Sequence, residues 1–502
     1  LQLNRLYAVE KKPLFGVCLW LMKKQSPHTD VSAHQTVTDF IKLPSPSGAI
    51  PIGFTDQKVS GRAGLITFAA FLRWHRLGQL LAAWLPHRPG SNHALVPADI
   101  ALSFISGILA GAQKLAQVAL LRADPLVAPL LNVARVPSQS TFSRFFQRFD
   151  SAGTNLLVFG AAWRWCAQRL PSRREGYSLD LDSTQLLHED GHQEGVAVGH
   201  TRWGNKPCLH PLLAVLEEAK LVVGFWLRPG HTRSDNNVVA FTLELLGRLP
   251  KWLRLRRVRG DAGFCVAPWL ELLENKGLSY IVVARLLRPL QRLITAQTQW
   301  VATPVAGLEV ADLWHQELGW KNPRRLVVIR RRLQEGGRVG GKSLVDCPGY
   351  VFQALVTNLP ASVDALSVWR DYNQRAGAES VIKELDAHFA LPHLCLEKFW
   401  STEAALCLAV LAYNLAILFQ RHLGWLERVS AGTLKFRLFH TGGILSRSGG
   451  VLTLRLAVPP EQRGWWRRLL EKTGSLWPNC NAVESLAPGW STSRGKQPLM
   501  ES

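Results

Sequence analysis

The order of apolar runs between Gly176 and Leu359 limits most sharply what this chain can become. YSLDLDST, from Tyr177, alternates Leu179 and Leu181 with polar residues, the two-residue period of a strand. HPLLAVLEEAKLVVGFWLRPG, 210–230, reads as a strand, a turn near Glu218 and Ala219, and a second strand. A helix opened by Ser234-Asp235 is expected over 234–248. LRLRRVRGDAGF places a short strand before Asp261, followed by a helix near 267–276 and the strand LSYIVVARL at 278–286. Three strands, a helix, a strand, a helix and a strand suit a mixed α/β sheet.

The remaining segments are arranged around that sheet. Residues 1–60 read as a poorly ordered arm with at most one strand. The chain begins with Leu1 and its first Met is Met22, so residues 1–21 are expected either to follow a non-standard start or to lie outside the translated frame. Residues 61–172 have helical spacing and read as a helical DNA-binding domain. Pro97-Ala98-Asp99 opens one helix, Gly107 and Gly111 permit close packing, and Asp124-Pro125 opens another. In VPSQSTFSRFFQRF, Ser138 or Ser140 can cap a helix that shows Ser143, Arg144, Gln147 and Arg148 on one side and packs its phenylalanines on the other. That outline resembles a helix-turn-helix, and an ordinary bundle helix fits nearly as well. Residues 173–286 form the first part of the sheet. Residues 287–350 read as a β-rich insertion with Trp300, Trp314, Trp320 and the basic run RRLVVIRRRL. Its glycine run, GGRVGGK, does not fit a phosphate loop. Residues 351–425 return to the core through YVFQALVTNL and a long helix at 402–421, and 426–502 form a C-terminal region and tail.

Three acids stand in contexts that can carry chemistry. Asp182 and Asp261 each sit at or just past a strand, followed by small or hydroxyl residues. DYNQRAGAESVIKELDAHF, 371–389, read as one helix, brings Tyr372, Arg375, Glu379 and Lys383 within an arc of roughly 80°. A solvated face of i,i+4 pairs explains such a helix in isolation. Together with the two strand-end acids, Glu379 completes a set of oxygen donors that could hold two Mg²⁺ (or Mn²⁺) ions. Such a pair, about 4 Å apart, serves in-line phosphoryl transfer. Asp180 shares a strand face with Asp182 and reads as its support.

The formal charge of +22 points to a polyanion, with nucleic acid the first candidate. The eight cysteines form no CxxC pair and no zinc-like spacing with histidine, which suits free thiols in a reducing cytoplasm. The best apolar run, Leu406 to Phe419, is short for a membrane span and contains Asn414, so no membrane is expected.

Taken in order, LDLDST, GHQEG at 191–195, LRPGH at 227–231, RGDAGF, VTNL at 356–359 and YNQRAGAE at 372–379 resemble the DDE transposases of bacterial insertion sequences. Within them the chain is most similar to the insertion-sequence 1380 group. The resemblance spans residues 60–460. It implies a ribonuclease-H-like catalytic core with a β insertion before the Glu helix, and Mg²⁺-dependent cutting and joining of double-stranded DNA at terminal inverted repeats. Asp182, Asp261 and Glu379 would be the catalytic metal ligands, and Tyr372 and Arg375 would hold the phosphate at the element's end. Related families carry a Lys after six further residues; here that place is Asp386, and the nearest Lys is Lys383. Arg144, Arg148 and Arg228 are further candidate DNA contacts, and the three tryptophans are candidates for stacking a displaced base. A homodimer on DNA, in the bacterial cytoplasm at the nucleoid, is expected. A nuclease of the same fold that cuts without joining and an inactive transposase-derived DNA-binding protein are the alternatives.

Overall fold

A computed structural model describes residues 41–43, 48, 50–89, 91, 93–333, 341–425 and 428–474. Residues 1–21, most of the glycine run and the polar tail thus lie outside the described residues. Packing separates two units, Leu1–Asp56 and Gln57–Ser502. In the first, β1 (Ile41–Leu43) pairs antiparallel with β2 (Ile50–Ile52). The arm therefore carries more strand than its composition announces.

The second unit begins with β3 (Lys58–Ser60) and seven helices: α1 (Leu65–Trp74), α2 (Leu77–Trp84), α3 (Pro97–Leu109), α4 (Leu115–Leu120), α5 (Val127–Leu131), α6 (Gln139–Phe146) and α7 (Ala152–Ala167). Local chemistry sets their starts. Pro97 occupies the first turn of α3, where its missing N–H is harmless. Ser138 and Ser151 cap α6 and α7 by accepting from the Thr141 and Thr154 amides, each at 3.3 Å. A Cβ on Gly107 would lie 2.6 Å from Val118 Cγ1, so only glycine lets α3 and α4 approach this closely. Phe142, Phe145, Phe146 and Phe149 are all buried, leaving Arg144 and Arg148 exposed.

The sheet follows: β4 (Tyr177–Ser183), then β5 (Leu186–Leu187), β6 (Ala197–Thr201) and β7 (Gly204–Leu209) as a small separate sheet, then β8 (Leu212–Leu216) and β9 (Leu221–Trp226). The small sheet departs from the sequence reading, because GHQEG and its surroundings lack an apolar period. Next come α8 (Val238–Arg248), β10 (Leu255–Gly260), α9 (Ala267–Asn275), β11 (Tyr280–Val283) and α10 (Arg288–Thr295). The insertion adds β12 (Val301–Ala302), β13 (Leu308–His315), β14 (Arg324–Arg332), β15 (Lys342–Leu344) and β16 (Cys347–Thr357). A ten-stranded sheet results, in the order β12-β13-β14-β16-β11-β10-β4-β8-β9, with β15 beside β16. The β4–β10 and β10–β11 pairs are parallel and the other neighbours antiparallel. The insertion thus widens the main sheet.

Two helices then lie where one was expected: α11 (Ala365–Asn373) and α12 (Ala376–His388). Between them the amides of Arg375, Gly377 and Ala378 bond three residues back, to Tyr372, Gln374 and Arg375. This tight joint divides the expected continuous helix in two, while Arg375 and Glu379 still meet as an i,i+4 ion pair. On α11, Val368 and Tyr372 share a small apolar core with Ile281, Val310, Val327, Ile329 and Leu355.

A 24-residue helix, α13 (Phe399–His422), runs through the main core. It is longer than the apolar run alone showed, and by length and composition it could cross a membrane; its apolar window is wholly buried here. Asn414 explains its polar interruption: Oδ1 accepts from the Val222 amide at 3.0 Å and Nδ2 donates to the Val222 carbonyl at 2.7 Å. One apolar core runs from Ala63 to Leu469, through the N-terminal helices, the sheet and α13, with no break at 172 or 286. Beyond lie α14 (Ala431–Leu434), a short π-helical turn, the hairpin β17 (Gly442–Ser448) and β18 (Val451–Ala457), and α15 (Pro460–Gly474). The hairpin pairs with β3.

Candidate active site

Strand alternation turns Leu179 and Leu181 into the main core and turns Asp180 and Asp182 to the other face. Asp182 is buried; its Oδ1 accepts from the Ser183 amide at 2.9 Å and forms an ion pair with Arg375 Nη2 at 2.9 Å. Burial pushes its carboxyl up to about 6; Arg375 and the Ser183 amide oppose that shift, while Asp261 and Glu379 add to it. Three carboxylates thus share one electrostatic field.

Asp261 follows β10 directly, on the strand parallel to β4. Its Oδ1 caps a short 3₁₀ turn by accepting from the Gly263 amide at 2.7 Å. A Cβ on Gly263 would lie 2.7 Å from Ser234 Cβ, so this turn needs glycine. Arg285 holds the turn from below, donating to the Ala262 and Gly263 carbonyls at 2.9 and 3.0 Å. Glu379 lies in the first turn of α12, where the helix dipole favours an anion. Its side chain is 54% exposed and stands 3.5 Å from Arg375 Nη1.

Arg375 therefore sits between Asp182 and Glu379, buried, with Nη2 also 3.4 Å from the Leu181 carbonyl and Nε buried without a partner. Burial works to lower its pKa, but Asp182 first, then Tyr372 and the other nearby acids, carries it above the usual value. The Tyr372 phenol is buried beside them: burial pushes it up to about 12, Arg375 opposes, and Asp261, Asp182 and Glu379 reinforce. Lys383 is exposed one turn past Glu379. Asp386, half-buried, has an unpartnered Oδ1, and burial raises its carboxyl to about 6 against the pull of Arg202.

The structure places several other candidates elsewhere. Arg228 is buried and donates to the carbonyls of His210, Arg233, Ser234 and Asn236 at 3.0–3.2 Å. Its guanidinium pins the 233–236 loop and does not face a phosphate. Trp320 is in the main core, with Arg324 over its ring at 4.8 Å, which removes it as an open stacking surface. Trp300 is half-buried, covered by Arg330 at 4.2 Å and bonded through Nε1 to the Gln297 carbonyl. Trp314 is 66% exposed. It lies in the row Arg259, Ile281, Thr357, Arg325, Trp314, four strands from β10, or roughly 19 Å at the usual strand spacing. Arg148 donates to the Arg88 carbonyl at 3.1 Å, leaving Arg144 the freer of the α6 pair.

His210 joins the site without having been singled out. Its Nδ1 meets the Thr232 carbonyl and its Nε2 lies 3.1 Å from Ser183 Oγ, which lies 3.1 Å from Ser234 Oγ. Burial lowers its pKa, the Thr232 bond opposes, Arg228 lowers it further and Asp261 raises it. The antiparallel β4–β8 register, which pairs Ser183 with Leu212, puts His210 beside Ser183, and the sequence does not announce that pairing because β5, β6 and β7 intervene.

Among the described residues, no three carboxylate, imidazole or thiol groups converge closely enough to hold a metal ion as they stand. The donor set is nonetheless all hard oxygen, and the repulsion from Asp261 and Glu379 that adds to the effect of burial on Asp182 is what a cation relieves. Asp182, Asp261 and Glu379 fit a divalent metal by chemistry.

A comparison with solved structures finds a cryo-EM piggyBac transposase synaptic complex with hairpin DNA, at a TM-score of 0.42 and 12% identity, covering 88% of this chain and 91% of that one. The comparison with curated proteins finds no match. The family model described as Transposase DDE domain group 1 matches residues 46–472, and over that length the chain belongs to the DDE transposases.

Proposed function

We propose that this transposase binds the terminal inverted repeats of an insertion sequence and cuts and joins DNA there by Mg²⁺- or Mn²⁺-dependent phosphoryl transfer, in a cut-and-paste reaction. The observation that carries this reading is the surplus of charge at the site. Asp182, Asp261 and Glu379, from two parallel strands and a helix N-terminus, act on one another with only Arg375 between them. The parallel β4–β10–β11 strands flanked by antiparallel β8 and β9 support a ribonuclease-H-like core. The motif order supports membership of the insertion-sequence 1380 group. The charge of +22 supports a DNA partner, and the same resemblance supports a homodimer on DNA in the bacterial cytoplasm.

In this reading the carboxylates of Asp182, Asp261 and Glu379 would hold the cations. Such ions supply Lewis acidity and relief of negative charge for phosphoryl transfer. Arg375 offers a planar guanidinium and Tyr372 a hydroxyl to the phosphate, both already held beside the acids. His210, through Ser183 and Ser234, ties the end of β4 to the 232–236 loop and keeps Asp182 in place.

The test uses the purified full-length protein and a duplex carrying the inverted repeat read from DNA beside the coding frame. Wild-type protein is expected to cut at the repeat and join the cut end to a target in Mg²⁺. Cutting without joining would favour the nuclease reading. Unimpaired cutting by Asp182→Asn, Asp261→Asn or Glu379→Gln would sink the assignment.

A further inference from the structure

The basic strand before Asp261 looks like a phosphate-binding run, yet its arginines turn inward. Arg259 is fully buried. Its Nε and Nη2 grip the two oxygens of Asp180 at 2.6 and 3.0 Å, and its Nη1 donates to the Asp371 main-chain carbonyl and lies 3.2 Å from Asp371 Oδ1. Arg257 Nε reaches Asp371 Oδ2 at 3.1 Å and Arg256 Nη2 reaches Oδ1 at 3.2 Å. A bulge makes this convergence feasible: between Leu255 and Arg257 the β10 register slips by one residue against β4, leaving Arg256 as the extra residue.

We propose that Arg259 is the positioning residue that fixes Tyr372 and Arg375 over Asp182 and Asp261, by gripping Asp180 and the last turn of α11 at once. Both strand residues in this clamp lie two positions before a site acid: Asp180 before Asp182, and Arg259 before Asp261. Its far end, Asp371, directly precedes Tyr372. The rigid sheet that sets the acids therefore also sets the residue from which Tyr372 and Arg375 depart.

Such a device is needed because helix continuity does not supply it. No α-type bond crosses the joint at Gln374 and Arg375; its amides bond three residues back. Apolar packing holds α11 on the sheet as far as Tyr372, and the joint residues beyond it depend on polar contacts. A buried ion network is poor value for stability alone, since well-packed apolar side chains commonly do as well. Placement is different: a shift of about 1 Å in a group that holds the reacting phosphate costs about a hundredfold in rate. An arginine fork can span a carboxylate and a carbonyl in fixed geometry, which an ammonium cannot.

This inference rests on the reading that Tyr372 and Arg375 hold the phosphate, so its test includes a measurement independent of cleavage. Two full-length variants are compared with wild type: Asp180→Leu/Arg259→Met, which replaces the pair by apolar groups, and Arg259→Lys, which keeps the charge but loses the fork. Amide hydrogen exchange is followed across 371–378 without DNA or metal. Single-turnover cleavage of the end duplex is followed over a range of protein concentration. Exchange at Arg375, Gly377 and Ala378 is expected to quicken more than tenfold, with melting close to wild type. The maximal cleavage rate is expected to fall about a hundredfold while half-saturation moves less than about threefold. If the double variant does not fold, Arg259→Lys decides by the same criteria. A folded variant with unchanged exchange, or with faster exchange and an unchanged rate, overturns the proposal. If wild-type protein cuts no DNA, that failure belongs to the proposed function, and exchange at 371–378 alone decides the positioning role.

Discussion

Two carboxylate–arginine clusters lie side by side on one face of the sheet, and their charge balance differs in sign. Around Asp180, two acids (Asp180 and Asp371) are ion-paired by three arginines, 256, 257 and 259, with Glu217 acting on Asp180 and Arg259 from further off. Around Asp182, three acids meet one arginine, Arg375. Asp180 and Asp182 are two residues apart on the same strand, both buried. Burial therefore does not separate them. The first cluster is answered by ion-paired protein cations; among the described residues the second has Arg375 alone ion-paired to its acids and retains negative charge. A surplus of unanswered carboxylate marks the place for chemistry, and a saturated neighbour marks its support.

The largest effects should come from moving one residue along β4. Asp180→Asn replaces one of the two oxygens that buried Arg259 grips by an N–H₂ and removes the charge facing it, and should cost about 3–5 kcal/mol, seen by denaturant unfolding. Asp182→Asn removes one of three repelling acids, so melting should stay level or rise slightly. Cleavage should nevertheless fall by three orders of magnitude or more, to the limit of detection, with end binding retained; Asp261→Asn and Glu379→Gln should behave alike. If Asp182→Asn unfolds the protein while Asp180→Asn leaves it stable, the contrast between the clusters is wrong.

A third buried carboxylate sharpens the contrast by removing arginine altogether. Glu403 accepts from Asn155 Nδ2 at 2.7 Å and from the Leu227 amide at 2.9 Å. Burial pushes it up to about 7, with those two bonds opposing. A raised pKa alone therefore does not identify the site. The folded state holds this proton more tightly than the unfolded chain, so the protein loses stability as pH rises from about 4.5 to about 7. The difference from the ordinary glutamate value of 4.5, taken at 1.36 kcal/mol per unit, comes to about 3 kcal/mol. Glu403→Gln avoids that loss, and Asn155 can turn its unpartnered Oδ1 toward the new amide. The variant should be the more stable protein at pH 8, with the advantage vanishing near pH 4. A constant difference across that range would mean that Glu403 does not titrate in the fold.

How much of this was legible follows from what each signal encodes. Strand alternation records which face a residue takes, so Asp180 and Asp182 opposite Leu179 and Leu181 could be read directly. It does not record what waits on that face. The arginines of β10 could not be assigned a partner from the sequence, because Asp371 is more than a hundred residues away. The joint at Gln374 and Arg375 was not read because both residues favour a helix, although Asn373 and Gly377 beside them do not. Arg228 before Pro229-Gly230 resembles any strand-end cation, and only the 233–236 carbonyls reveal its use. The small β5–β7 sheet escaped because its strands are short and polar. The insertion's strands were visible, but their joining of the main sheet depends on β16 pairing with both β11 and β14, which composition does not express.

The smallest expected effect tests the edge of the unsaturated cluster. Lys383 stands four residues past Glu379 on α12, exposed, and with no ion-pair or hydrogen-bond partner among the described residues. A Glu–Lys pair at this spacing adds only about 0.2–0.5 kcal/mol to a helix, so Lys383→Ala should be almost silent in unfolding experiments. As a flexible ammonium beside the acids, it is placed to meet one DNA phosphate. Losing that contact should reduce the slope of log affinity against log salt by about one, and cleavage by less than tenfold. An unchanged slope would show that Lys383 reaches no phosphate. A hundredfold loss of cleavage at an unchanged slope would place it among the groups that act on the reacting phosphate, so that the second cluster would hold two working cations and its charge surplus would be smaller than the contrast with Asp180 requires.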